Sequence, residues 1–262
     1  MSSSTSKYLS KLRDKRVVVL GGTSGLGFCV AEAALEHDAY VIVSSSTQTK
    51  IDKTISRLQA SYPDKTAKIS GHVCDLAQLS NMEANVEALL KAATDGNTNK
   101  IDHIVSTAGD RIQFPKLSEL TVESVQNCGT VRFLGPLVLA KYAPLYMTPG
   151  FRSSITLTNG TISYKPLKDR AVTAAWGLGI EGAMRGMAVD LAPIRVNIVS
   201  PGAVVTELFD GAPEGMLETF RKATLTEQLG TPEDVAEAYL HAMKDGFMTG
   251  NVLVSDGGRI LT

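Results

Sequence analysis

The sequence predicts an α/β protein built on one doubly wound parallel sheet. Three observations point there. Short β-branched runs alternate with helical stretches from end to end of the 262 residues, the runs are continuously apolar, and the first stops at a glycine-rich turn. Continuous apolar runs suit strands covered by helices on both faces, and strand–helix alternation yields parallel strands. The length fits one large domain or two small ones, and no repeat, low-complexity tract or linker divides the chain.

Taken in order, residues 1–14 are Ser- and Lys-rich without an apolar stretch, and are expected to be a flexible arm, not a secretory signal. Residues 15–262 form the expected single domain. Its seven strand candidates are Val17 to Leu20, Tyr40 to Val43, a weaker Ala67 to Val73, Ile101 to Ser106, Ser154 to Thr158, Arg195 to Val199 and Asn251 to Val254. Gly27 to His37 reads as the first helix. Ile180, Ala183, Met184 and Met187 fall on one helical face, and Gly179, Gly182 and Gly186 in that stretch point to close backbone approach by a neighbouring helix. Thr231-Pro232-Glu233-Asp234 supplies an N-cap, a first-turn proline and first-turn acids ahead of Val235 to Lys244.

Composition narrows the function. The 26 Lys and Arg against 27 Asp and Glu leave no basic footprint for nucleic acid or an anionic membrane. No apolar run is long enough to span a bilayer. Three cysteines, Cys29, Cys74 and Cys128, are an odd number without metal-ligand spacing. Neither a secreted disulfide framework nor a metal site is expected, and the expected compartment is the cytoplasm.

The chemistry begins at Gly21-Gly22-Thr23-Ser24-Gly25-Leu26-Gly27, a G-x-x-x-G-x-G turn between a strand and a helix. There backbone N–H groups and a helix N-terminus can meet a pyrophosphate. A tight structural turn is the other reading, but the flanking strand and helix favour a dinucleotide site and a Rossmann-type sheet.

From Lys15 to Gly258 the chain resembles the short-chain dehydrogenase/reductase family. Cys74-Asp75-Leu76 matches the family's adenine contact, and Ser106-Thr107-Ala108-Gly109 stands where the family has Asn-Asn-Ala-Gly, keeping only the last two residues. Arg195 to Gly202 with Thr206 matches its Pro-Gly-x-x-x-Thr segment, and Asp256-Gly257-Gly258 its last strand. The resemblance implies cofactor contacts at Gly21, Thr23, Ser24, Gly25, Leu26 and Gly27, then at Asp75, Leu76, Thr107, Ala108, Gly109 and Thr158. Further contacts are implied at Pro201, Gly202, Val204 and Thr206. The second strand ends in Ser44 to Lys50 with no acid, so Ser45, Ser46 and Lys50 are expected to accept a 2′-phosphate, making the cofactor NADP(H).

The family's carbonyl reducers use Asn, Ser, Tyr and Lys. At the corresponding positions stand Arg132, Asn159, Thr173 and Gly177. Tyr164 to Lys168 is a second Tyr-x-x-x-Lys, but Pro166 breaks the helical turn that the motif needs. A ketone requires a proton on its developing alkoxide, whereas an iminium carbon accepts hydride without one, and a cyclisation needs only positioning. The pattern also resembles the fungal indole-alkaloid iminium reductases that act as Diels–Alderases, on Gly129 to Phe133, Thr156 to Thr158 and Glu181 to Gly186. That subgroup's acid after the loop proline is replaced here by Leu167, with Asp169 nearby.

The expected function is therefore NADP(H)-dependent iminium reduction, or cyclisation, of an apolar alkaloid-like secondary metabolite. The alternative is a non-enzymatic dinucleotide sensor or scaffold. Arg132, Asn159, Asp110, Asp169 and Trp176 are the catalytic-site candidates. Arg132 would grip the cofactor or a substrate carbonyl, Asp110 or Asp169 would offset a cationic substrate, and Trp176 would wall the pocket. Residues 206–224 are the expected helical substrate lid. A homodimer or homotetramer is expected, as family members pair through the helices after Arg132 and Thr173.

Overall fold

The computed structural model describes residues 7–109, 116–210 and 215–262. Its seven strands form one wholly parallel sheet in the order β3-β2-β1-β4-β5-β6-β7. They are β1 (Arg16–Leu20), β2 (Tyr40–Ser45), β3 (Ile69–Val73), β4 (His103–Ser106), β5 (Ser154–Thr158), β6 (Arg195–Pro201) and β7 (Val252–Ser255). The helices among the described residues are α1 (Gly25–Glu36), α2 (Gln48–Ser61), α3 (Met82–Ala93), α4 (Val122–Gly129), α5 (Gly135–Tyr146), α6 (Ala171–Asp190), α7 (Met216–Lys222) and α8 (Pro232–Lys244).

Strand alternation divides the core in two. Val18 and Leu20 of β1 join Ile42, Ile104, Val196 and Ile198 on one face, beneath Leu89 of α3, Leu139 of α5 and Met184 of α6. Val17 and Val19 join Val41, Val43 and Val105 on the other, beneath Ala31 of α1, Ile51 of α2 and Tyr239 of α8. Val17 to Leu20 of β1 are buried on both faces, which is why β1 reads as a continuous apolar run. The chain reverses direction across the sheet between β1 and β4. Doubly wound sheets bind ligands at the carboxyl edge of such a switch point.

Some expectations shift. The third strand starts at Ile69, because Pro63–Lys68 winds into a 3₁₀ helix. Ile101 makes only an isolated bridge to Met147, outside β4. The Thr231 capping box forms as expected, with Thr231 and Asp234 bonding reciprocally. Residues 7–14 do not form a free arm: Leu12 is fully buried, and Lys11 Nζ donates to Lys244 O at 3.1 Å. The face of Ile180, Met184 and Met187 is covered by the chain's own sheet, so a partner subunit is not needed to bury it. Gly179 abuts Phe133, as close approach requires, but Gly182 and Gly186 have no neighbour within 4 Å.

Candidate active site

The glycine turn after β1 is packed to the limit. A Cβ on Gly27 would lie 2.2 Å from Gly21 O and 2.4 Å from Thr107 Oγ1. Gly21 has φ +79°, and a Cβ there would lie 2.7 Å from Ala108 N. The turn is fixed from beneath by Gly21 N and Gly22 N, which donate to Ser44 O at 2.9 and 3.2 Å. Ser24 caps α1 without a side-chain bond, and no acid occupies the first turn. The N–H groups at the start of α1 therefore have no intrahelical acceptor. This is a cradle for an anion, and the donor set fits a dinucleotide pyrophosphate. Thr206 and the Glu207 carboxylate lie over Gly25, at 3.2 and 3.4 Å from its Cβ position. A pyrophosphate would require that carboxylate to swing aside.

At the end of β2, Ser45 Oγ accepts from Thr23 Oγ1 at 3.1 Å, while Ser46 and Lys50 are exposed. Asp75 Oδ1 accepts from Ala77 N at 2.9 Å. Leu76 is core, its side chain against Gly135. The Thr158 hydroxyl is used internally, donating to Ser106 O at 2.8 Å and pairing with Tyr239 Oη at 2.7 Å. Val204 is buried beside Gly230, and Gly202 closes on Asp256 at the end of buried Pro201. Leu26 is half-buried in the first turn of α1.

Between α4 and α5 the helix widens into a π-turn, Thr130–Leu134, that carries Arg132. Such turns often mark functional sites. The Arg132 guanidinium lies flat on the β4 loop: a Cβ on Gly109 would be 2.2 Å from its Cζ. The sequence led to Arg132 as a grip on the cofactor or a substrate carbonyl; the structure places its guanidinium against Gly109. Trp176 is a packing residue. Its Nε1 donates to Val125 O at 3.0 Å, its ring fills the space above Gly129, and it stacks against Phe133 at 4.7 Å. Asp169, at φ +61°, shares an open cleft with Lys116 and Lys168. Asp110 lies outside the described residues. In the stretch expected to form a lid, α7 is helical, and Phe220 packs edge-on against Phe209 at 5.9 Å.

Asn159 stands just past β5 and Gly177 faces it from α6, with Asn159 Nδ2 donating to Gly177 O at 3.2 Å. Ser163 fills the space a side chain at 177 would need, its Oγ 1.9 Å from the Gly177 Cβ position. The Tyr164–Lys168 motif is not a helical turn. Lys165 Nζ is held by Arg259 O at 3.2 Å and by Thr262. Sequence reasoning missed Glu181, which is 3% exposed and accepts from Asn159 Nδ2 at 2.7 Å and from Tyr164 Oη. Burial, and then the Glu181 carboxylate, push the Tyr164 phenol well above its ordinary pKa. A signal existed: Glu181 lies between Ile180 and Met184 on the face that α6 buries.

A parallel sheet switched between β1 and β4, with a glycine cradle at its carboxyl edge, defines a dinucleotide-binding protein. The model of an SDR-like Rossmann domain matches residues 8–262, and the chain belongs to the short-chain dehydrogenase/reductase family. It is 42% identical over 256 residues to the short-chain dehydrogenase/reductase malC of Malbranchea aurantiaca, over 95% of this chain and 96% of that one. To the short-chain dehydrogenase/reductase ucsE of an Acremonium species it is 41% identical, over 96% and 97%. The solved MalC reductase/Diels-Alderase of Malbranchea aurantiaca superimposes with a TM-score of 0.92 at 41% identity, covering 97% of this chain and all of that one. A small-chain dehydrogenase solved with NADPH is 28% identical with a TM-score of 0.73, over 95% and 100%.

Proposed function

We propose that the chain is an NADP(H)-dependent enzyme of secondary metabolism that reduces an iminium, or steers an intramolecular cyclisation, of an apolar nitrogen-containing substrate. The observation that carries this reading is the residue set at the end of β5 and on α6. Where the family resemblance puts a serine, a tyrosine and a lysine, the chain has Asn159, Thr173 and Gly177, and the Lys165 ammonium is tied to the C-terminus. That set has no phenol–ammonium pair to protonate an alkoxide, and an iminium needs none. The likeness to a solved reductase/Diels-Alderase supports reduction and adds cyclisation.

Gly21 to Gly27 would hold the pyrophosphate, Ser45, Ser46 and Lys50 the 2′-phosphate, and Asp75 the adenine. When bound, NADPH supplies the hydride. Arg132, flat on Gly109, fixes the nicotinamide-side loop and directs its cation at a cofactor or substrate oxygen. It cannot donate a proton, so its part is orientation and charge. Phe209 with α7 would close the pocket against water.

Two measurements test the reading. NADPH is expected to bind the purified protein more tightly than NADH, and tighter NADH would refute the cofactor assignment. A cyclic imine is expected to consume NADPH with transfer of its hydride to the imine carbon. Cofactor binding without transfer to any imine, together with a change in affinity for a partner protein, would favour a sensor instead.

A further inference from the structure

The side chains around Gly177 are arranged to accept positive charge. Glu181 Oε1 takes hydrogen bonds from Asn159 Nδ2 at 2.7 Å and from Tyr164 Oη. Its Oε2 is 3.8 Å from Arg185 Nη2, on a side chain that is 57% exposed, so that pairing is long and screened by water. A phenol that donates to a carboxylate is polarised, and its lone pairs become better acceptors. The Tyr164 phenol keeps its proton, since burial and the carboxylate both raise its pKa. It is an acceptor here, not an acid.

Two further oxygens have the same character. Asn159 Nδ2 is engaged twice, by Glu181 and by Gly177 O at 3.2 Å, which fixes the amide and leaves its buried Oδ1 without a partner. Ser163 Oγ, on a residue 4% exposed, is also buried and unpartnered. Buried oxygens without partners are costly, and each of these two is an acceptor still open to a donor. Tyr164, whose Oη reaches inward to Glu181, leaves 40% of its own surface exposed.

We propose that Tyr164, polarised by Glu181 as its positioning residue, receives a cationic or N–H-bearing nitrogen of the substrate, a protonated amine or an iminium. The phenol oxygen accepts the N–H, and the ring offers a cation–π face. This rests on the reading of the chain as an enzyme of nitrogen-containing substrates, and it names the residues that select the nitrogen.

Calorimetry on the full chain with tetrahydro-β-carboline, a cation at neutral pH, and with its neutral N-acetyl derivative tests the proposal. The wild type is expected to prefer the cation about tenfold or more. Glu181→Gln keeps the shape and removes the charge, and is expected to cut the preference to within about twofold. Glu181→Asp is expected to restore part of it, a rescue that a purely structural role would not give. NADPH affinity, measured in parallel, reports whether each variant is folded. Should Glu181→Gln fail to fold, Tyr164→Leu is expected to lose the preference on its own. Wild-type protein that binds both probes alike, or neither, overturns the proposal, and so does a folded Glu181→Gln that keeps the preference. Failure of NADPH-dependent imine reduction would sink the proposed function and leave this preference standing, so the two can fail separately.

Discussion

Arg132 and Gly109 are one unit. The guanidinium fills the space that any side chain at 109 would take, within 2.2 Å of its Cβ. Arg132→Ala is expected to keep the fold and to lower turnover or stereochemical control by roughly ten- to a hundredfold, the worth of a charge-assisted contact of about 1.5–3 kcal/mol. Gly109→Ala pushes the guanidinium off the loop and is expected to give a loss of the same order, with about 1–3 kcal/mol of overpacking strain visible in thermal unfolding. Full activity in both variants would make Arg132 a packing residue. Arg132 was legible in the sequence because a cation stood at a position with a recognisable neighbourhood. Glu181 was missed although an acid on the helical face of Ile180 and Met184 signals burial, because its partners, Asn159 and Tyr164, are brought to it only by the fold.

At the scale of elements, β6 is anchored by one buried charge. Arg195 is 3% exposed and donates to Phe151 O, Ala242 O, Met243 O and Met248 O at 2.7 to 3.1 Å. It ties the start of the strand to the end of α8. Arg195→Leu leaves those carbonyls without donors and is expected to cost about 3 kcal/mol or more, read as a lower denaturation midpoint. The elements themselves were largely legible. β-Branched runs placed β1, β2 and β5 to within two residues, since the pleated, covered positions favour apolar and β-branched side chains. The start of β3 was not, because Ala67 and Lys68 continue the strand's composition while Pro63 starts a 3₁₀ helix upstream. The π-turn at Thr130–Leu134 was invisible for another reason: it accompanies tertiary contacts, Trp176 over Gly129 and Phe133, which no local pattern records.

At the scale of the molecule, two solution properties follow. His103 is wholly buried against Ser154 Oγ at 2.9 Å, and burial lowers its pKa from 6.5 to about 3. Its folded value lies below its unfolded one, so the neutral ring's contribution is complete above pH 6.5 and is lost as the pH falls toward 3. Unfolding free energies are expected to decline across that window, and His103→Gln to flatten the decline. The outer face of α6, with Gly182 and Gly186 open and Leu178 and Val189 exposed, allows close approach by a second copy. A dimer or tetramer is expected by light scattering, and a mass of 27.9 kDa that NADPH does not change would contradict it. The central claim is that this family member handles a cationic C=N and not a ketone. It is tested most directly by offering the protein a cyclic iminium and its ketone isostere side by side and following NADPH oxidation. Consumption with the iminium and none above background with the ketone is the expected result. Ketone reduction at rates ordinary for the family, with no consumption on the iminium, would contradict it.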